Sequence, residues 1–380
     1  GPATGQRAGV DEDRVLVVVQ LSGGNDGLNT VIPKGQARYY DDRPRLAIPE
    51  NEIVAIPGAD DLGLHPALRP IAEMVAAGSA TIVPGVGYPN PNRSHFASMD
   101  IWHTGDTRGS RGRGWIGSAL DQVAADNPTG CIAIGDQAPL ATRGRRSRAV
   151  TFSQPNMFQW LGHRIDPRLR NVHQQMIGPA VPPAPGGDDA VAFVQRVAAN
   201  GLLTSQQVRK AVARQPETDF PRNPLANQLR MVAAMIRDEL PTRVFYTALG
   251  GFDTHANQLF PHQQRLGQFA EAVSGFYREL KATGHDQRVL TLAFSEFGRR
   301  VAQNASGGTD HGTAGPSFLF GPMVRPGVYG DYPSLENLDQ GDLKHNIDFR
   351  SVYTTVLDDW LGANAAAVLG RAWRPVRVIG

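Results

Sequence analysis

The sequence predicts an α/β protein built around a mostly parallel sheet. Two observations carry the expectation. Apolar, β-branched runs recur at residues 15–20, 242–249 and 288–294, each stopping at a Gly-rich or acidic turn. Between them lie stretches whose apolar residues are spaced by three and four, as at Leu266, Phe269, Val273, Phe276 and Leu280.

Taken in order, residues 15–20 read as a central parallel strand ended by Ser22-Gly23-Gly24. Residues 66–77 read as a helix with Pro66 suited to its first turn, and 80–86 as a strand running into the loop Tyr88-Pro89-Asn90-Pro91-Asn92. A helix restarts over 93–102. From about 104 to 188 Gly, Arg and Pro mix with short strands at 131–134 and 149–152, the pattern of a cap or insertion, and 179–189 reads as an exposed connection. Helices are expected at 189–214 and 223–238. The next clear strand is 242–249, followed by the turn Gly250-Gly251, an amphipathic helix over 258–281 and a strand at 288–294. A short strand at 318–320 and a closing helix at 349–361 complete the pattern. The expectation is one α/β domain over 14–380. Residues 1–13 read as a loose linker beginning with Gly1-Pro2, the mark of a cleaved affinity tag, so that a natural targeting segment has been removed.

Composition narrows the function classes. With 41% hydrophobic and 19% charged residues and 28 prolines, the chain reads as soluble and loop-rich. No apolar run approaches the ~20 residues of a membrane-spanning helix. A net charge of +2 argues against a nucleic-acid binder. The single cysteine, Cys131, excludes an internal disulfide and thiolate-rich metal sites, so a metal here is held by oxygen and nitrogen.

Four short segments carry the chemistry: Gly23-Gly24-Asn25-Asp26-Gly27, Phe252-Asp253-Thr254-His255, Phe294-Ser295-Glu296-Phe297-Gly298 and Thr309-Asp310-His311-Gly312. Strand ends in an open α/β sheet face one crevice, so carboxylates and imidazoles from distant segments can meet there and hold a metal. Each residue also has a plainer role. Asp26 suits an Asx-turn. Asp253 or Thr254 suits a helix N-cap. Glu296 could pair with Arg299 or Arg300, and His311 could sit in a surface turn whose Asp310 orients its second ring nitrogen. Ser94, opening the helix after the proline loop, reads as a nucleophile favoured by backbone N–H groups and the helix dipole, or as an N-cap. His65 reads as ordering a loop, and Asp348 with Arg350 as an ion pair. The basic loops holding Arg108, Arg111 and Arg113, and Arg143, Arg145, Arg146 and Arg148, read as solvated surface that steers anions if it borders the cleft.

Together, Leu21-Ser22-Gly23-Gly24-Asn25-Asp26-Gly27-Leu28-Asn29, Arg93-Ser94-His95-Phe96, Gly251-Phe252-Asp253-Thr254-His255, Ser295-Glu296-Phe297-Gly298-Arg299, Asp310-His311-Gly312 and Asp348-Phe349-Arg350 resemble a bacterial family catalogued as domain of unknown function 1501. The resemblance extends from about Val15 to the C-terminus. It implies an alkaline-phosphatase-like three-layer sandwich, with helices on both faces of the sheet and one or two divalent ions, zinc first. By resemblance Asp253, His255 and His311 fill the first metal site, and Asp26 and Glu296 the second, beside Ser94 and His95 as catalytic residues. Asn25, Arg93, Asp310 and Arg299 fall around them as substrate-binding or ligand-supporting residues. Twin-arginine export, to the periplasm or beyond, is implied as well. Two departures stand out. The late superfamily motif is an Asp followed by His, whereas here it reads Glu296-Phe297, which leaves the second ion absent or held by His95. The spacing from Asp253 to His255 is also shorter than in phosphatases. No sulfatase formylglycine signature surrounds Cys131.

The expected function is an exported metal-dependent hydrolase of a phosphate or sulfate ester or a similar anionic group, with Ser94 attacking. The alternatives are an enzyme that uses a metal-bound water or a base on a carbohydrate-type substrate, and a degenerate relative that binds an envelope polymer or partner.

Overall fold

The run Val15-Leu16-Val17-Val18-Val19 has no polar side chain. It forms most of strand β1 (Val15–Leu21) and is buried on both faces, as a central parallel strand must be. The computed structural model, which describes residues 13–109, 112–154 and 205–380, sets β1 between two parallel neighbours, β8 (Val244–Leu249) and β9 (Val289–Phe294). The sheet also contains β5 (Ala80–Gly87), β6 (Cys131–Ile134), β7 (Val150–Phe152), β10 (Gly315–Phe320), β11 (Gly327–Val328) and β12 (Ile347–Asp348). Its order is β11-β5-β10-β9-β1-β8-β6-β7, with β12 also on β5. Among the described strands of this sheet only β10 runs against its neighbours. A separate antiparallel sheet is made by β2 (Val31–Pro33), β3 (Val54–Ile56) and β4 (Ala59–Leu64).

Alternation along β1 splits the core into two layers. Val15, Val17 and Val19 pack with the apolar faces of α3 (Arg69–Ala76), α6 (Pro224–Arg237) and α7 (Leu259–Ala282). Leu16 and Val18 pack with α4 (His95–Thr104), α5 (Trp115–Val123), α8 (Phe349–Thr355) and α9 (Ala365–Leu369) on the other side. The stripe Leu266, Phe269, Val273, Phe276 and Leu280 of α7 is fully buried. At ~1.5–3 kcal/mol per large apolar side chain, it anchors that helix to the sheet. The expected α/β sandwich with a mostly parallel sheet is the fold found.

Local differences have physical reasons. The helix expected over 66–77 opens with a 3-10 turn, Pro66–Leu68, before α3. The closing helix begins as α8 and loosens into a π turn over Val356–Leu361, ended by Gly362 in the left-handed region. The stretch expected to hold a cap or insertion is described over 112–154. There α5, β6 and β7 continue the sandwich, since β6 pairs with β8 in the register Cys131↔Val244 and β7 pairs with β6. Residues 110–111 and 155–188 of that stretch, with the connection at 179–189 and the helix expected from 189 as far as 204, lie outside the described residues.

The carboxyl ends of β1, β5, β8 and β9 and the start of antiparallel β10 share one edge of the sheet. The segments after Leu21, Gly87, Leu249 and Phe294, and the one leading into Gly315, therefore gather in one place.

Candidate metal centre

Close backbone approach builds the site floor. Gly23 has φ +121°, and a Cβ there would lie 2.4 Å from the Asp253 nitrogen, so only glycine lets the β1 loop lie on the β8 loop. Gly24, at φ +72°, faces the Phe297 ring in the same way. Arg299 then ties the loops together from a fully buried position. Its guanidinium donates to the carbonyls of Gly24 (2.7 Å), Thr309 (2.8 Å), Phe252 (3.1 Å) and Gly23, and to Asp253 Oδ1 (2.7 Å). The strand-like pairing of Arg299 with His311, closed by Gly298 N to Thr313 O at 2.8 Å, brings the histidine loop onto the same floor.

Asp253, His255, His311 and His95 converge above it. His255 Nε2 and His311 Nε2 lie 2.9 Å apart, and they are 2.9 and 3.1 Å from Asp253 Oδ1. His95 Nε2 faces Asp253 Oδ2 at 3.4 Å, is shielded from solvent and has no hydrogen-bond partner. The Nδ1 atoms point the other way, each to an acceptor. They face the Arg93 carbonyl at 2.7 Å (His311), Glu296 Oε1 at 2.8 Å (His95) and Asp310 Oδ1 at 3.5 Å (His255). A carbonyl or carboxylate can only accept, so each Nδ1 carries a proton, and a ring that carries no second proton presents an Nε2 lone pair to Asp253. Three lone pairs and a carboxylate this close repel unless a cation sits among them. The residues therefore fit an ion, and a nitrogen-rich set with one carboxylate suits zinc or a similar transition ion better than calcium or magnesium. Burial tends to raise the Asp253 pKa, but the Arg299 guanidinium beside it holds the carboxyl down at about 2. The Asn304 amide likewise lowers that of Asp310.

The other expected site residues take different places. Asp26, expected as a ligand, is completely buried beneath the cluster, where its carboxylate accepts from Arg43 (2.6 Å), Gln258 and the Asn29 nitrogen (3.4 Å). Burial pushes its pKa up, yet Arg43 prevails and holds it low. Glu296, also expected on the ion, is buried and fully engaged by His95, Gly23 N (2.9 Å) and Ser295 Oγ (3.1 Å), so it orients an imidazole and pairs with neither Arg299 nor Arg300. Asp310 faces His255, not His311. Asn25 turns inward, its Oδ1 accepting from Thr30 Oγ1 (3.1 Å) and sharing a hydrogen bond with His262 Nε2 (2.9 Å). Ser94 holds the N-cap position of α4, but its side chain caps nothing and is exposed between Arg93 and His95. His65 orders its own turn by accepting from Ala67 N, and Asp348 pairs with Arg350. Arg43, Gln258 and His262 carried no signal in the sequence.

A cavity of about 310 Å³ opens between Gly87–Pro91 and Thr313–Ala314, with Lys344 and His345 on its wall. Another, of about 730 Å³, lies at the opposite edge, where Thr242, Arg243 and Arg288 precede or begin the strands. Among the described residues no helix is long and apolar enough to cross a membrane.

No curated protein is similar to this chain in sequence. Solved structures similar to it include the 2-O GAG sulfatase BT1596 (10% identity, 96% of this chain and 76% of that one, TM-score 0.40). Another is the C-terminal periplasmic domain of EcEptC from Escherichia coli in complex with Zn (10%, 83% and 74%, 0.37). A third is the alkaline phosphatase from the Antarctic bacterium TAB5 (10%, 82% and 92%, 0.35). The family model described as Protein of unknown function (DUF1501) matches residues 13–369, and the chain that carries this His and Asp cluster belongs to that family.

Proposed function

We propose that the protein is an exported hydrolase that uses one cluster, Asp253, His255, His311 and His95, to hold a zinc-like ion and act on a phosphate or sulfate ester or a similar anionic group. The observation that carries this reading is the set of three imidazole Nε2 atoms turned toward one carboxylate while their Nδ1 atoms are held by acceptors. When bound, the ion would neutralise charge on the ester and favour ionisation of the attacking hydroxyl. Glu296, Asp310 and the Arg93 carbonyl hold the rings in place, so the donor set is formed before the ion arrives. Ser94 is the attacking group. It stands at the start of α4, whose first N–H groups have no partners within the helix and favour an anionic substituent there.

A second reading has water attack in place of Ser94. It is favoured by the Ser94 hydroxyl, which is exposed and makes no capping hydrogen bond to α4. Turnover of aryl phosphates, phosphodiesters and aryl sulfates, with and without chelator, tests the proposal together with Asp253→Asn, His311→Ala and Ser94→Ala. Chelator-sensitive turnover lost in all three variants supports it. Survival of activity in Ser94→Ala alone selects water. Metal content and turnover unchanged in both Asp253→Asn and His311→Ala would refute the site.

A further inference from the structure

We infer that the cluster holds a single divalent cation, because the carboxylates that could take a second are already committed to internal partners and a buried guanidinium stands beside Asp253. The inference rests on the metal reading above and specifies how many ions that site takes. Asp26 and Glu296 are the two carboxylates near the floor other than Asp253 and Asp310. Every Asp26 oxygen is engaged, Oδ2 by Arg43 and Gln258 and Oδ1 by the Asn29 nitrogen. Glu296 Oε1 accepts from Gly23 N and His95, and Oε2 lies 3.1 Å from Ser295 Oγ, whose one proton it shares with the Leu21 carbonyl. To ligate an ion, either would have to break bonds made from buried positions, where an orphaned donor costs ~1–3 kcal/mol each.

Charge points the same way. Asp26 with Arg43 and Asp253 with Arg299 form two neutral pairs, each with a fully buried arginine. At the rim Arg93 and Arg300 both approach Asp342, leaving one positive charge, against which stand Glu296 and Asp310. With neutral imidazoles the floor and rim thus carry a single negative charge. One divalent ion makes the site singly positive, the balance an anionic ester needs. A second would leave three uncompensated positive charges and place a dication against the guanidinium of Arg299, which is held in place by Asp253 and four carbonyls.

The test counts ions. Protein stripped with chelator is titrated separately with Zn²⁺, Mn²⁺ and Ca²⁺ by calorimetry, and metal per chain is measured by mass spectrometry after desalting. The expected result is one ion per chain in the wild type and in Asp26→Asn. Glu296→Gln should also bind one, but ~10–100-fold more weakly, since it loses only the partner that orients His95. Asp253→Asn should retain none. Two equivalents retained in the wild type overturn the inference while leaving the metal reading intact. None retained with any of the three ions overturns the metal reading, and this inference with it. The wild-type count and Glu296→Gln decide the matter even if Asp26→Asn fails to fold.

Discussion

Replacing Arg43 with methionine separates a structural role for Asp26 from a ligand role. The guanidinium donates to Asp26 Oδ2 at 2.6 Å, Asn29 Oδ1 at 2.8 Å and the carbonyls of Val301 and Arg300 at 2.7 and 2.8 Å, and neither charged side chain has any exposed surface. Methionine fills much of the volume but leaves a buried carboxylate without its cation, which costs ~3–5 kcal/mol. Burial already pushes the Asp26 pKa up, and only Arg43 and its neighbours hold it down. In Arg43→Met the carboxyl should therefore take up a proton, and the stability deficit should shrink as the pH is lowered. Adding Asp26→Asn removes the uncompensated charge, so the double variant should be more stable than Arg43→Met alone, with a coupling of ~1–3 kcal/mol. Denaturant unfolding of the four proteins measures this cycle, and metal content is followed in parallel. Additive effects, or a cost below ~1 kcal/mol for Arg43→Met, would refute the buried-pair argument. Loss of bound ion in Asp26→Asn without loss of stability would instead make Asp26 a ligand.

Burial holds His65 and His103 down at about 4 and His262 at about 3, all below the ordinary 6.5. These groups are neutral in the folded protein but protonate when it unfolds, so their contribution is complete above pH 6.5. It is lost as the pH falls toward 4 and then 3, at roughly 1.4 kcal/mol per pH unit for each histidine. A denaturation midpoint unchanged between pH 7 and 5 would contradict this. Gly23→Ala should cost on the order of 1–3 kcal/mol, because φ +121° and the Asp253 backbone leave no room for a methyl group. It should also weaken ion binding by shifting Asp253, which calorimetry would detect. Near-wild-type stability and affinity would show that the two loops can separate freely.

The strands and the acids and histidines at their ends were legible because both leave local signals. A run such as Val15 to Val19 can only be a buried strand, and an acid or histidine just past a strand end belongs to the crevice. Asp253, His255 and His311 were therefore readable one segment at a time. What was hidden depended on pairing across the chain. Arg43 lies just past the short helix α2 (Ala37–Asp41), with nothing nearby to mark it as the partner of Asp26. For Glu296, sequence shows a carboxylate at a strand end without showing that His95 will face it. The β2–β4 sheet escaped notice because its strands are short and β4 opens with Ala59-Asp60-Asp61, which has no apolar alternation.

The buried pair beneath the cluster is linked to the proposed ligands through hydrogen bonds. Gln258 donates to Asp26 Oδ2, and its Oε1 accepts from Thr254 Oγ1 (3.1 Å) and Thr309 Oγ1 (2.6 Å). Those threonines lie beside Asp253 and His255 on one loop and beside Asp310 on the other, and Thr309 N donates to the Thr254 carbonyl at 3.2 Å. A charge at Asp26 thus fixes one amide, the amide fixes two hydroxyls, and the hydroxyls set the spacing of the loops that carry the imidazoles. Gln258→Leu breaks that relay while leaving every proposed ligand in place. It should lower ion affinity by about tenfold, the scale seen for outer hydrogen-bond partners of metal ligands, and it should leave the count at one ion per chain. An unchanged affinity in Gln258→Leu would mean that the loops hold their spacing without the buried pair, and that Asp26 and Arg43 serve stability alone.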